Sequence, residues 1–245
     1  MAVFPNGTVF LDDPSEEHEL HLLSCLFKKE WRITTLTVWG LWCGKAFMYW
    51  GTIQIVTLVF SDTNGQDLPD DQTYTFDYGA IFSSSAAEIV GQTIAILVVE
   101  RIGRVLPMSI LYLLGGISVV ALCTLAELGT ASRTVMIVLA FLARMFVMGA
   151  GGLVWLATAE VFPTQVRSTG HASASAIARI AGASTPWLVS SDNSFKTIAI
   201  AMGVFSFYTS SISCFLPETA GRAMGTANTN LSTDAKGRPQ VSELL

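Results

Sequence analysis

The sequence predicts an all-α membrane protein with six transmembrane helices, on three observations. Apolar segments fall at residues 33–60, 78–99, 105–126, 134–157, 170–190 and 197–215. Each is close to the roughly 20 residues that cross a hydrocarbon core as a helix. The composition agrees, with 51% of residues hydrophobic and 13% charged. The joints carry their Lys and Arg unevenly. One side holds nine (Lys28, Lys29, Arg32, Arg101, Arg104, Arg167, Arg222, Lys236 and Arg238) and the other two, Arg133 and Lys196. Excess positive charge marks the cytoplasmic side, so both termini are expected in the cytoplasm. The chain then divides into a cytoplasmic amino-terminal segment (1–32), a transmembrane domain (33–216) and a largely disordered cytoplasmic tail (217–245).

Residues 1–20 are polar and acidic, and read as disordered. His18 and His21 stand among Glu16, Glu17 and Glu19, but further ligands are lacking, so they read as solvated and no metal site is expected. Residues 20–32 read as an interfacial helix with Trp31 at headgroup level. No cleavable signal peptide is expected from MAVFPNGTVF, which lacks a basic start and a long apolar run.

The first span is rich in aromatic residues (Trp39, Trp42, Tyr49, Trp50), which serve as packing, interface anchors or cavity walls for an organic ligand. The joint at 61–77 has five Asp and no Lys or Arg, and is expected outside or in a lumen. Asn6-Gly7-Thr8 and Asn230-Leu231-Ser232 match the glycosylation pattern, but the topology keeps both from modification. The fourth span holds Gly149, Ala150, Gly151 and Gly152. The fifth carries Gly170, Ala174, Ala178 and Gly182, a spacing that lines one helix face for close packing, and Pro186 is expected to kink it. Cys25, Cys43, Cys123 and Cys214 are scattered, without a CxxC pair, and read as small packing residues.

Ionisable residues at membrane depth are costly and must face the bundle interior or a cavity. Four occur: Lys45, Glu88, Arg144 and Arg179. At a rise of about 1.5 Å per residue, Lys45 and Glu88 both lie roughly 18 Å from the cytoplasmic ends of their helices. Arg144 comes to about 20 Å and Arg179 to about 14 Å. Lys45 and Glu88 are at one height, so they form either an ion pair locking two helices or part of a substrate or proton site. With Glu88 ionised the set sums to +2, which favours an anionic solute or acids supplied by another domain. Gln54 and Gln92 add hydrogen-bonding capacity to the site or bond a neighbouring helix.

The joints carry motifs. Glu100-Arg101-Ile102-Gly103-Arg104 follows the second segment. Ala159-Glu160-Val161-Phe162-Pro163-Thr164-Gln165-Val166-Arg167-Ser168-Thr169-Gly170 follows the fourth, and Pro217-Glu218-Thr219-Ala220-Gly221-Arg222 the sixth. This series resembles the cytoplasmic joints of major facilitator superfamily transporters, in the sugar and organic-ion group. Ala178-Arg179-Ile180-Ala181-Gly182-Ala183, Glu88 and Lys45-Ala46-Phe47-Met48-Tyr49-Trp50-Gly51 look most like the synaptic-vesicle-two-related branch, where a neutral residue more often stands at Lys45. The resemblance covers residues 20–222 and matches the second six helices of a twelve-helix transporter.

The resemblance implies half of a major facilitator fold and secondary transport of a small organic solute. It also implies a cytoplasmic gating network of Arg101, Arg104, Glu160, Arg167, Glu218 and Arg222. Either the chain is part of a longer product, or it pairs with a missing first six-helix half. Expected partners are the lipid bilayer and a small organic solute; net charge −5 argues against nucleic acid. The chain has no GxxxxGK[ST] loop and no nucleophile motif, so transport would be gradient-driven, with no cofactor and no enzymatic activity. A non-transporting membrane or vesicle protein acting through partner binding is the alternative. Plasma membrane and intracellular vesicle are equally open.

Overall fold

Every described segment of length is helical, because backbone polar groups in hydrocarbon must bond within their own helix. The structure, a computed structural model, describes residues 26–29, 31–61, 77–190 and 193–220. The expectations for residues 1–20, Cys25, most of the acidic joint, Arg222 and the tail beyond Ala220 concern residues outside these ranges. Six helices follow in order: α1 (Arg32–Val59), α2 (Tyr78–Ile102), α3 (Val105–Leu128), α4 (Arg133–Val161), α5 (Arg167–Leu188) and α6 (Phe195–Ser213).

Local chemistry sets their ends. Asp77 caps α2 by accepting from the Ala80 amide at 3.1 Å. Gly103 ends α2 at φ +94° and Gly129 ends α3 at φ +61°, conformations that glycine adopts without cost. Helix α4 runs four residues past the predicted end at Ala157, and stops where Phe162 turns extended ahead of Pro163. Its extra turn carries Glu160, a charge tolerated where the helix leaves the apolar region. Pro186 lies in the last turn of α5, so the hydrogen bond it removes falls near the helix end.

Four of the helices, α2, α3, α4 and α6, are long and apolar enough to cross a membrane. Helices α1 and α5 are more polar, with buried Thr34, Thr35, Thr37 and Thr52 in α1 and a Ser- and Ala-rich α5. Large apolar side chains point outward in quantity, including Phe82 (79% exposed), Ile89 (74%) and Phe207 (69%). In water this surface would be a liability; in lipid it is the solvated face.

The main packing partners are α3 with α6, α2 with α4, α3 with α4, α1 with α5, α1 with α6 and α1 with α4. Exchanging α1, α2, α3 for α4, α5, α6 leaves this set unchanged, the signature of two related three-helix units. Helices α1, α4, α3 and α6 form the central ring, with α5 outside α1 and α2 outside α4. The core includes Leu41, Trp42, Met48, Met108, Tyr112, Leu153, Val154 and Met202, all almost fully buried.

Close approach replaces the hydrophobic effect as the packing force between helices in lipid. A Cβ on Gly91 of α2 would collide with the Met145 carbonyl oxygen of α4. A Cβ on Gly116 of α3 would meet the Ser206 hydroxyl of α6. Along that seam Ser206 donates to the Tyr112 carbonyl at 2.8 Å, and the hydroxyls of Ser109 and Ser210 lie 2.8 Å apart.

Candidate functional site

Between α1, α2, α4 and α5 lies a cavity of about 580 Å³. Three predicted site residues line it: Lys45 from α1, Gln92 from α2 and Arg179 from α5. Its walls are Tyr49, Trp50 and Trp155, with Gly151 and Gly152 beneath. The glycines allow the approach: a Cβ on Gly152 would collide with the Gln92 amide group. Gln92 therefore lies flat across α4, and its Oε1 is buried without a hydrogen-bond donor. Trp50 and Trp155 are each about half exposed.

Lys45 is not paired with Glu88, correcting the expectation from depth. Its Nζ lies 4.2 Å from the Trp42 ring centroid and 4.5 Å from that of Trp155. Such cation–π contacts are each worth about 0.5–2 kcal/mol, more as water is excluded. His171 of α5 packs on the same indoles, with centroids 4.9 Å from Trp42 and 4.5 Å from Trp155. Trp42 is fixed in turn by donating its indole N–H to Thr158 at 2.9 Å. His171 and Trp155 were not singled out from the sequence. Their place beside Lys45 follows from helix azimuth, which a linear pattern does not give.

Glu88 pairs instead with Arg144, at 3.3 Å across the α2–α4 contact. Tyr49 donates to the same carboxylate at 3.4 Å, and Arg144 also bonds the hydroxyls of Ser84 and Ser85. Arg144 is 8% exposed and Glu88 23%. Neither lines the cavity; they sit behind Tyr49. Gln54 donates to Thr185 at 3.0 Å and joins α1 to α5.

The joints form a second cluster. Arg104 makes a two-pronged bond to Glu160, through Nε at 3.0 Å and a terminal nitrogen at 2.9 Å. Thr219 donates its hydroxyl to the same carboxylate. Among the described residues, Glu218 bonds no Arg side chain. Its carboxylate accepts the amides of Arg104 (3.0 Å) and Val105 (3.1 Å) at the head of α3, and those of Thr219 and Ala220 in its own segment. Burial pushes this carboxyl up, but the four backbone donors outweigh it and hold its pKa below the usual value. Arg167 donates to the Phe162 carbonyl at 3.3 Å, bracing the turn into α5 and not joining the carboxylates. Arg101 is exposed on the last turn of α2. On the opposite side of the bundle Arg133 pairs with Asp77 at 2.5 Å, tying the first turns of α4 and α2; the sequence reading gave Arg133 a role in topology alone.

The sugar (and other) transporter family model matches residues 12–231. A putative transporter, svop-1, of Caenorhabditis elegans is 32% identical over 215 residues, covering 81% of this chain and 40% of its own length. Synaptic vesicle 2-related protein of Rattus norvegicus is 27% identical over 240 residues, covering 91% of this chain and 42% of its own. Organic cation/carnitine transporter 7 of Arabidopsis thaliana is 28% identical over 196 residues, covering 77% and 38% respectively. The chain thus spans about two fifths of the length of the curated relatives it matches. With a helical bundle, an apolar outer face and motif-bearing joints already in place, the chain belongs to the sugar (and other) transporter family of the major facilitator superfamily, in its synaptic-vesicle-two-related branch.

Proposed function

We propose that this chain is the carboxy-terminal six-helix half of a secondary transporter for a small organic solute. All six helices cross the membrane in this reading, both ends face the cytoplasm, and a first six-helix half closes the open side of the cavity. The observation that carries it is the cavity. It has the size of a small-molecule site, within the roughly 300–1,000 Å³ such sites occupy. It is bounded by indole faces, with Lys45, Gln92 and Arg179 as its polar points. Transporters built from repeated bundles place their solute between the bundles near the midplane.

The joint cluster is the second half of the proposal. Arg104, Glu160, Glu218 and Thr219 tie the ends of α2, α4 and α6 to the head of α3. Bonds of this kind act as a switch when one state makes them and another breaks them. Opening toward the cytoplasm separates these ends, and closure restores the bonds. Glu88 and Arg144 lie behind the cavity wall and, held to Tyr49 of that wall, serve as a lock between α1, α2 and α4, leaving proton coupling by Glu88 as the second reading.

Uptake into liposomes tests the proposal. The chain joined to a first half from a relative is expected to accumulate organic solutes down an imposed gradient. The chain alone is expected to bind without accumulation. A joined protein that inserts and folds but moves nothing would favour the rival, a membrane protein acting through partner binding.

A further inference from the structure

The cavity lining carries two cations, Lys45 and Arg179, and no carboxylate among the described residues. The nearest acid, Glu88, is already held by Arg144 and Tyr49. Lys45 faces two indole rings, and no acid is paired with it among the described residues. A ring face attracts an ammonium more weakly than a carboxylate does once water is excluded. Gln92 lines the same wall, with an amide whose buried oxygen has no donor; amide orientation being free to invert, it presents either N–H or oxygen to the cavity.

From this arrangement we infer that Lys45 and Gln92 form a carboxylate subsite, and that the solute is a planar organic anion. Its carboxylate takes the Lys45 ammonium and a Gln92 N–H, and its ring lies along Trp155 and Trp50. The indoles of Trp42 and Trp155 hold the ammonium in place before the solute arrives, so little ordering is needed on binding. Arg179, exposed on α5, adds positive potential at the cavity rim. Organic cations are disfavoured, because they would be brought against Lys45 without a compensating acid. This inference rests on the transporter reading, since it takes the cavity to be the solute site.

Three matched probes test it: 2-naphthoate, 2-naphthalenemethanol and 2-naphthylmethylammonium. The full chain is reconstituted in nanodiscs of zwitterionic lipid, and saturable binding is measured by equilibrium dialysis against empty discs. Naphthoate is expected to bind about tenfold tighter than the alcohol, the value of one charge-assisted hydrogen bond. Lys45→Met should remove that preference, Lys45→Arg should keep it, and Gln92→Leu should weaken naphthoate severalfold while sparing the alcohol. Helicity and monodispersity of each variant show whether it folds, and Lys45→Arg keeps the test valid if Lys45→Met does not. Equal binding of all three probes, or tighter binding of the ammonium, overturns the anion subsite and leaves the cavity as a solute site. Unchanged naphthoate preference in folded Lys45→Met also overturns it. If no probe binds saturably, the cavity reading fails together with the subsite.

Discussion

Gly103 shows how one residue can hold a joint together. Its φ of +94° favours glycine, and a Cβ there would stand 2.8 Å from a Glu218 carboxylate oxygen. Gly103→Ala is therefore expected to cost about 1–3 kcal/mol of stability through backbone strain, more if Glu218 is displaced. Thermal unfolding in detergent measures it, and replacement of the exposed Thr93 by Ala serves as the control. At membrane depth the corresponding pair is Glu88 and Arg144. Removing one member of a buried pair leaves an uncompensated charge, worth about 3–5 kcal/mol when burial is complete. Glu88 is 23% exposed, so Glu88→Gln should cost less than that. Arg144→Met together with Glu88→Gln should recover most of the loss. A stable Glu88→Gln protein whose uptake has lost its pH dependence would instead make Glu88 the proton carrier. Depth counting put Lys45, Glu88 and Arg144 at one height, but height along a helix does not say which helix stands opposite. Helix α2 packs mainly on α4, and so Arg144, not Lys45, receives Glu88.

At the scale of elements, the joint motifs were legible because glycine, proline and paired charges punctuate a sequence otherwise made of apolar runs. Each of the six segments corresponds to a helix; two starts, Tyr78 and Val105, coincide with the expected ones, and the other ends differ by one to four residues. What the motif could not convey is that Glu218 works through backbone amides. Four N–H groups converge on it, whereas the resemblance implied only its membership of a gating network rich in Arg. Glu218→Gln is accordingly expected to loosen the head of α3 and to lower transport in the joined protein with insertion intact. An added charge swap at Arg104 should not rescue it, because the amides remain. The pH dependence follows from the lowered carboxyl pKa. Above the unfolded value near about 4.3 the stabilisation is fully present, and it is lost only as pH falls through the lower folded value. The joint should hold from neutral pH down to about 4.3 and open below that as the folded carboxyl takes up its proton; amide exchange at Arg104 and Val105 reports the transition.

For the molecule as a whole, the exchange pattern of helix contacts makes α1 and α4 equivalent, and α2 equivalent to α5. The cavity forms where these equivalent pairs meet, so the least hydrophobic helices, α1 and α5, carry much of its lining. Their polarity suits the solute-facing role proposed for them, and by length and composition only the other four helices qualify as membrane-crossing. The topology is checked by labelling. In a background without native cysteines, cysteine at Asp67 and at Gly225 should react from opposite sides of the membrane. Reaction of both from one side would remove the six-span reading.

The position of Glu218, beyond the end of α6, has a consequence for biogenesis. Helix α3 is made before α4, α5 and α6, yet the carboxylate that caps its first amides leaves the ribosome after all three. Until then the α2–α3 joint has neither Glu218 nor Thr219 to close it, and α3 also waits for α6 as its principal neighbour. Closure of this joint therefore has to wait until the segment that follows α6 has been made. A nascent chain stopped before Pro217 would present the uncapped head of α3 and an unanswered Glu160–Arg104 pair at the membrane surface, a defect that membrane quality control can recognise without inspecting the solute site at all.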